Sequence, residues 1–332
     1  MSVQFVKNSV SPYGLAPCEE DRALGLVELC GRTAYKSEEK ITEDSAKKFV
    51  LMLKSQGHLS VLEHSNIVLK VEKDTALHPD RPAPVTFAEI LDALSDRLAF
   101  HRLFPVNSGS GFLMTGNFRA WVETLDRLKR MERIHGFLLQ SLNRFFPALF
   151  PDGRGQTAAI QSRASLLGEE EQLELLKTDP SLDLPVFVFK FVCDRGITHE
   201  VVRHRVFSFT QESTRYVNYG SKGMVLILPE ELYNSYDDEK GELSPVDPMA
   251  VEWRKRAEVL FHWYMEDLQR GLRPEIARDI LPNLLKSEIF VSGRWSGWKH
   301  FILLRDSSKA HPRIRFLAKE VRKYFAGLGL EC

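Results

Sequence analysis

Cysteine is scarce: Cys18, Cys30, Cys193 and Cys332 are the only four in 332 residues, and none share a Cys-x-x-Cys spacing. This density excludes a disulfide scaffold and fits a reducing compartment. Net charge is missing too, since 45 Lys plus Arg balance 45 Asp plus Glu. No global field recruits nucleic acid or an anionic membrane, so any anion site must be local. No run approaches the roughly 18 apolar residues that span a bilayer, and no basic segment leads into an apolar run near Met1. The expectation is a cytoplasmic protein with neither membrane nor nucleic-acid partner. What is present, 43% hydrophobic and 27% charged residues, is ordinary globular composition, enough for a substantial core in one large domain or two.

Val3 to Val6 reads as a first strand, followed by helical stripes over residues 20 to 35 and 43 to 56, the second closed by Gly57. Gly57-His58-Leu59-Ser60-Val61-Leu62-Glu63-His64 then leads into the strand-like run Ile67 to Val71. Its two histidines and one glutamate do not place three ligands on a helical face, so no metal is expected; packed or capping histidines are the plain alternative. Helical patterns recur over Ala88 to Leu103 and Ala120 to Phe146, the latter with Trp121, Leu125, Leu128, Ile134, Leu138, Leu142 and Phe145 in register. Pro147, Pro151, Gly153 and Gly155 mark a loop, and an acidic stretch opens at Gly168. Val186 to Val192 is a buried strand, and helices are expected at 250–269, Glu275–Leu281, around Trp295–Arg305 and Pro312–Phe325, with strands at 225–228 and 288–291.

Chemistry concentrates after that buried strand. Asp194-Arg195-Gly196 punctuates, a short helix opens, and Arg203-His204-Arg205-Val206-Phe207-Ser208-Phe209-Thr210-Gln211-Glu212-Ser213-Thr214-Arg215-Tyr216 follows as a polar loop. Guanidinium forks match phosphate oxygens, so several on one loop point to an anionic ligand; a solvated basic face is the alternative, although it has no need of the interleaved Ser, Gln and aromatic residues. Elsewhere, Phe112 to Trp121 parallels Ile289 to Trp298: apolar strand end, hydroxyl, glycine, three residues, a small residue, tryptophan, then a helix. An internal repeat and coincidence are both compatible with this.

Arg203, His204, Arg205, Ser208, Ser213 and Arg215 together match the Arg-His-Arg signature of the flavin-dependent thymidylate synthases, the thymidylate synthase-complementing protein family. Gly57 to His64 resembles that family's second motif, and Ala277-Arg278-Asp279-Ile280-Leu281-Pro282 with Trp298 to Pro312 resembles its closing segments. The similarity covers residues 20 to 72 and 186 to 325. It implies an α/β (mixed α+β) fold with a central sheet flanked by long helices, residues 1–74 and 186–332 forming the core and 75–185 a mainly helical insertion of about a hundred residues.

The resemblance further implies methylation of dUMP to dTMP, with methylenetetrahydrofolate and NADPH as co-substrates, FAD as cofactor, and a homotetramer with shared active sites. Substrate contacts fall to Glu200, Arg203, Gln211, Glu212, Ser213, Thr214, Arg215, Arg278 and Arg305, and cofactor contacts to His58, Ser60, Arg203, His204, Arg205, Gln211 and His300, with Glu63 in support. Arg305 is the expected catalytic residue, because a guanidinium at the uracil edge stabilises charge developing there. The family does not use a cysteine nucleophile, so Cys193 reads as core packing. One departure stands out. The usual Asn-x-Arg is replaced by Arg294-Trp295-Ser296, while Asn117-Phe118-Arg119 carries the pair in the parallel stretch. Either Asn117 and Arg119 supply the displaced flavin contacts or the flavin site is rewired. A related flavin enzyme acting on C5 of another pyrimidine nucleotide, a non-catalytic paralogue and a nucleic-acid-binding module are the alternative functions.

Overall fold

Apolar runs with strand periodicity and stripes with helical periodicity assemble as two similar halves in the computed structural model, which describes residues 3–73, 83–97, 101–106, 111–151 and 162–332. The first half runs β1 (Gln4–Val6), β2 (Ser9–Leu15), α1 (Glu20–Tyr35), α2 (Ser45–Ser55), β3 (Ile67–Lys73), α3 (Phe87–Ala93), β4 (His101–Pro105), β5 (Gly111–Gly116), α4 (Phe118–Leu128) and α5 (Glu132–Phe145). The second runs β6 (Ser162–Leu166), α6 (Glu169–Thr178), β7 (Val186–Asp194), α7 (Arg195–Val201), β8 (Ser208–Gln211), α8 (Tyr219–Lys222), β9 (Val225–Ile227), β10 (Tyr236–Asp237), β11 (Glu242–Leu243), α9 (Pro248–Gln269), α10 (Pro274–Ala277), β12 (Lys286–Arg294), α11 (Trp295–Arg305) and α12 (Pro312–Gly327).

The chain is thus a mixed α/β protein, its described strands divided over two four-stranded sheets and two two-stranded pairs. One large sheet has the order β2-β7-β12-β8 and the other β4-β5-β3-β6, with antiparallel pairing throughout both. Each takes one edge strand from the opposite half: β2 joins β7, and β6 joins β3.

Local chemistry explains the helix ends. α1 stops at Lys36, which adopts a left-handed conformation and returns its N–H to Arg32 and Thr33 carbonyls. Gly57 follows α2 at φ +74°. Asn117 caps α4 by accepting from Ala120 N, and Asp194 caps α7 by accepting from Ile197 N. Trp121, Phe118 and Phe146 fill the core of the first half; Trp298, Phe189, Phe191 and Phe301 fill that of the second. Each is fully buried, and truncating one to Ala costs about 3–5 kcal/mol. A third cluster lies beneath α9, around Tyr264.

Several elements differ from the sequence reading. The described residues of 75–185 form helices α3 to α6, but they also give β4, β5 and β6 to the sheet built on β3. Ala88 to Leu103 is not one helix: α3 ends at Leu94, and Leu103 lies in β4 paired with Met114, residues 98–100 lying outside the described set. The stripe from Ala120 to Phe146 divides at Lys129–Met131 into α4 and α5. The polar loop after Arg205 contains β8, because Ser208-Phe209-Thr210-Gln211 alternates with period two and pairs with Ile289 to Ser292. Thr75, Gly153 and Gly155 also lie outside the described residues. No described helix is long and apolar enough to cross a membrane.

Candidate active site

The loop between α7 and β8 carries Arg203, His204 and Arg205, and the last residue of α11, Arg305, reaches it. Arg305 donates from Nε to His204 Nε2 (3.0 Å), from Nη1 to Glu200 Oε2 (2.8 Å) and from Nη2 to the Glu200 carbonyl (3.2 Å). Since His204 Nε2 accepts, the neutral ring holds its proton on Nδ1. Burial, reinforced by the Arg305, His300 and Arg203 charges, pushes the His204 pKa down to about 4. The imidazole is therefore uncharged at neutral pH and the local cations are the arginines. A cavity of about 610 Å³ opens here, lined by Arg203, Arg205, His300, Arg305, Ser307 and Lys309 among others. It is an anion-attracting surface in a chain with no net charge.

A second cavity of about 530 Å³ shares Arg205, Val206 and His300 with the first. Its wall includes Glu63, Arg102, Asn117, Arg119, Ser208, Arg294 and Ser296. Arg119 donates to Glu63 (2.7 Å) and Glu123 (2.8 Å), and Ser208 Oγ donates to the other Glu63 oxygen (2.8 Å). Arg294 donates to the Asp183 and Leu184 carbonyls (2.9 and 2.7 Å) and to Thr115 Oγ1 (3.2 Å). Burial, with Arg102 nearby, lowers its pKa to about 10, which leaves it a cation at neutral pH. Behind this wall His64 is fully buried, its ring nitrogens bonded to Ser292 Oγ (2.6 Å) and Thr210 Oγ1 (2.8 Å).

The expected substrate residues fall into two groups. Arg203 and Arg305 line the first cavity, and Glu200 holds Arg305 from outside its lining. The second group begins at the last residue of β8 and continues beyond it. Gln211 donates to Thr198 and Ser287 hydroxyls (2.9 Å each), and buried Glu212 pairs with Lys286 (3.0 Å) and accepts from Tyr219. Ser213 N bonds the Ala34 carbonyl, Arg278 donates to Thr214 Oγ1 (3.0 Å), and Arg215 lies over the Tyr216 ring. None of these five residues from 211 to 215, nor Arg278, lines either cavity. Among the expected cofactor residues, Arg205 and His300 line both cavities, Arg203 and His204 the first, and Asn117 and Arg119 the second. His58 and Ser60 are exposed and line neither.

Arg102, which lines the second cavity, and Asp183, which accepts from it at 2.8 Å, escaped the sequence reading. Arg102 sits on β4, opposite Thr115 of β5, as Ser208 sits opposite Ser292; extending the Phe112–Trp121 parallel across the paired strand finds it. Among the described residues no group of three or more His, Cys, Asp or Glu side chains is placed to hold a metal ion.

Residues 178–328 match the family model described as thymidylate synthase complementing protein. The chain is 34% identical over 128 residues to the flavin-dependent thymidylate synthase of Pyrococcus abyssi, covering 38% of this chain and 48% of that protein. The Corynebacterium diphtheriae protein of the same name is 35% identical over 128 residues, covering 37% and 50%. That from Mycobacterium marinum is 33% identical over 130 residues, covering 38% and 51%. The chain spans about half the length of the curated relatives it matches. A UMP/dUMP methylase from Streptomyces cacaoi, solved with 5-Br dUMP, aligns at a TM-score of 0.36 and 24% identity, over 47% of this chain and 74% of that one; so slight a likeness carries no structural argument.

Proposed function

We propose, from the match of residues 178–328 to the thymidylate synthase complementing protein family model, that the chain is a flavin-dependent enzyme methylating C5 of dUMP. The one-carbon donor in this reading is methylenetetrahydrofolate and the reductant NADPH. The observation that carries it is the Glu200–Arg305–His204 arrangement at the mouth of a cavity walled by Arg203, Arg205 and Lys309.

The residues present fit FAD. The cavities meet at Arg205, Val206 and His300, giving an elongated space in the size range of cofactor sites. Guanidiniums stand in both parts, suiting phosphate. Arg203, His204, Arg205 and His300 would hold the flavin end, and Asn117 with Arg119 the adenylate end. Bound there, the flavin would supply the reducing equivalents. Arg305 would act on the uracil: oriented by Glu200 and by the lone pair of neutral His204, its fixed positive charge would stabilise negative charge developing at the N3 and O4 edge of the ring and so make C5 more nucleophilic. Arg203 and Lys309 would attract the nucleotide phosphate.

Ser213, Arg215 and Arg278 stand apart from Arg305 in one chain. Shared active sites in a homotetramer would bring a neighbour's Arg215 and Arg278 to the nucleotide, and the exposed His58 and Ser60 to the flavin. Replacing Arg305 with Ala should lower turnover about a hundred- to a thousandfold while visible absorbance still reports bound flavin. Assays with dUMP and UMP side by side test the substrate, and turnover by Arg305→Ala near the unmodified rate sinks the assignment.

A further inference from the structure

The two halves correspond in sheet order and at one strand–helix junction each. Reading the sheets as β4-β5-β3-β6 and β8-β12-β7-β2 puts β5–α4 and β12–α11 in equivalent places. Trp121 Nε1 donates to the Gly116 carbonyl and Trp298 Nε1 to the Gly293 carbonyl, both at 3.1 Å. His101 lies against Trp121 and Phe207 against Trp298, both with ring centroids 4.4 Å apart. A Cβ on Gly116 would meet His101 at 2.5 Å, and one on Gly293 would meet Phe207 at 2.1 Å. These shared details settle the parallel between residues 112–121 and 289–298 in favour of a repeat.

The same register pairs Arg102 with Ser208, Asn117 with Arg294, Arg119 with Ser296 and Glu63 with Asp183. The first three pairs, each member of them, line the second cavity, which therefore lies on the axis relating the halves. Around that axis each carboxylate accepts from one side chain of its own half and one of the other. Glu63 accepts from Arg119 and from Ser208; Asp183 accepts from Ser296 (2.6 Å) and from Arg102 (2.8 Å). Arginine and serine have traded places between the two half-sites.

They differ in what a ligand can displace. Asp183 is 5% exposed, also accepts from Ser296 N (3.1 Å), and its carbonyl is held by Arg294; withdrawing Arg102 would strand a buried carboxylate. The two arginines are alike in exposure, 39% for Arg119 and 41% for Arg102, and the difference lies in the carboxylates, Glu63 being 25% exposed. Water can reach Glu63 in place of Arg119, and Arg119 has a second partner in Glu123 (2.8 Å). We infer that the chain is an internally duplicated pseudo-dimer with one diphosphate-binding site on its axis, formed by the Glu63–Arg119 half, the Asp183–Arg102 half serving as a fixed lock. This deepens the flavin reading by assigning the diphosphate to Arg119, and it rests on that reading for the identity of the natural ligand.

ADP, titrated calorimetrically into the full chain, tests it without flavin or turnover. One ADP should bind per chain. Arg119→Ser should weaken it about tenfold to a hundredfold, the loss of a charge-assisted bond, and Arg102→Ser should weaken it distinctly less. Melting curves establish that the variants fold, and Arg102→Lys replaces Arg102→Ser if the latter does not. Two ADP per chain, no ADP binding, or equal losses from the Arg119 and Arg102 variants would overturn the proposal. One Arg119-dependent ADP per chain with no turnover of any uridylate would sink the enzyme reading and leave this one standing.

Discussion

His64 ties the first half to the sheet of the second, and its burial makes that tie acid-labile. Fully buried between Ser292 and Thr210, it has a pKa lowered by desolvation to about 3, against about 6.5 in an unfolded chain. At pH 7 the ring is neutral in both states and the bridge contributes in full. As pH falls below 6.5 the unfolded chain takes up a proton that the folded chain refuses, so stability declines until pH nears 3. By pH 5 the gap from 6.5 is 1.5 units at about 1.4 kcal/mol each, a loss of about 2 kcal/mol from this one residue. Urea unfolding of the unmodified protein and of His64→Gln, each at pH 7 and pH 5, isolates the effect. His204, whose pKa is lowered to about 4, titrates alike in both proteins and cancels. The variant should lose about 2 kcal/mol less than the unmodified protein between the two pH values. Parallel losses would show that His64 is protonated in the folded state as readily as in the unfolded one, and the reasoning fails.

Two further outcomes follow from packing and charge. Gly293→Ala drives a methyl into Phe207, which lies against Trp298; it should destabilise by about 1–3 kcal/mol in thermal unfolding, whereas Gly168→Ala, with nothing nearby, should shift stability by less than about 0.5 kcal/mol. Glu288 draws Lys36, Lys190 and Lys286 together at 12–24% side-chain exposure. Burial opposes its charge, but Lys286 and Lys36 outweigh burial and hold its pKa near 2. Its contribution is therefore complete above the unfolded value of about 4.3 and is lost as pH falls toward 2. Glu288→Ala at neutral pH should cost about 3–5 kcal/mol, read from the urea midpoint.

How far the sequence spoke depended on how local the physics was. α11 begins and ends where its tryptophan stripe does, and α9 was displaced by only two residues at its start, because helix signals lie within a turn or two of the residue they govern. Arg203, His204, Arg205 and Arg305 were found together because a dense signature marked the loop and the closing segment marked its partner. β8 was hidden in that same loop, since guanidinium and hydroxyl residues drew attention away from a four-residue alternation. β4 was absorbed into a helix because Leu91, Leu94 and Leu103 suit either periodicity and only pairing with β5 decides between them. Asp183 and Arg102 were invisible for a stronger reason: neither belongs to a motif, and the bond joining them spans residues 81 apart in sequence. Asn117 and Arg119 were legible only through comparison of the chain with itself.

The crossed-over edge strands carry a consequence for how such a chain can change over time. β2 completes the sheet that contains β7, and β6 completes the sheet that contains β3. Deleting either half would therefore leave the survivor holding a strand with no place to go and lacking the one it needs. The bare edge so created invites pairing with other chains. Once fused and exchanged in this manner, the two units are bound to be inherited together.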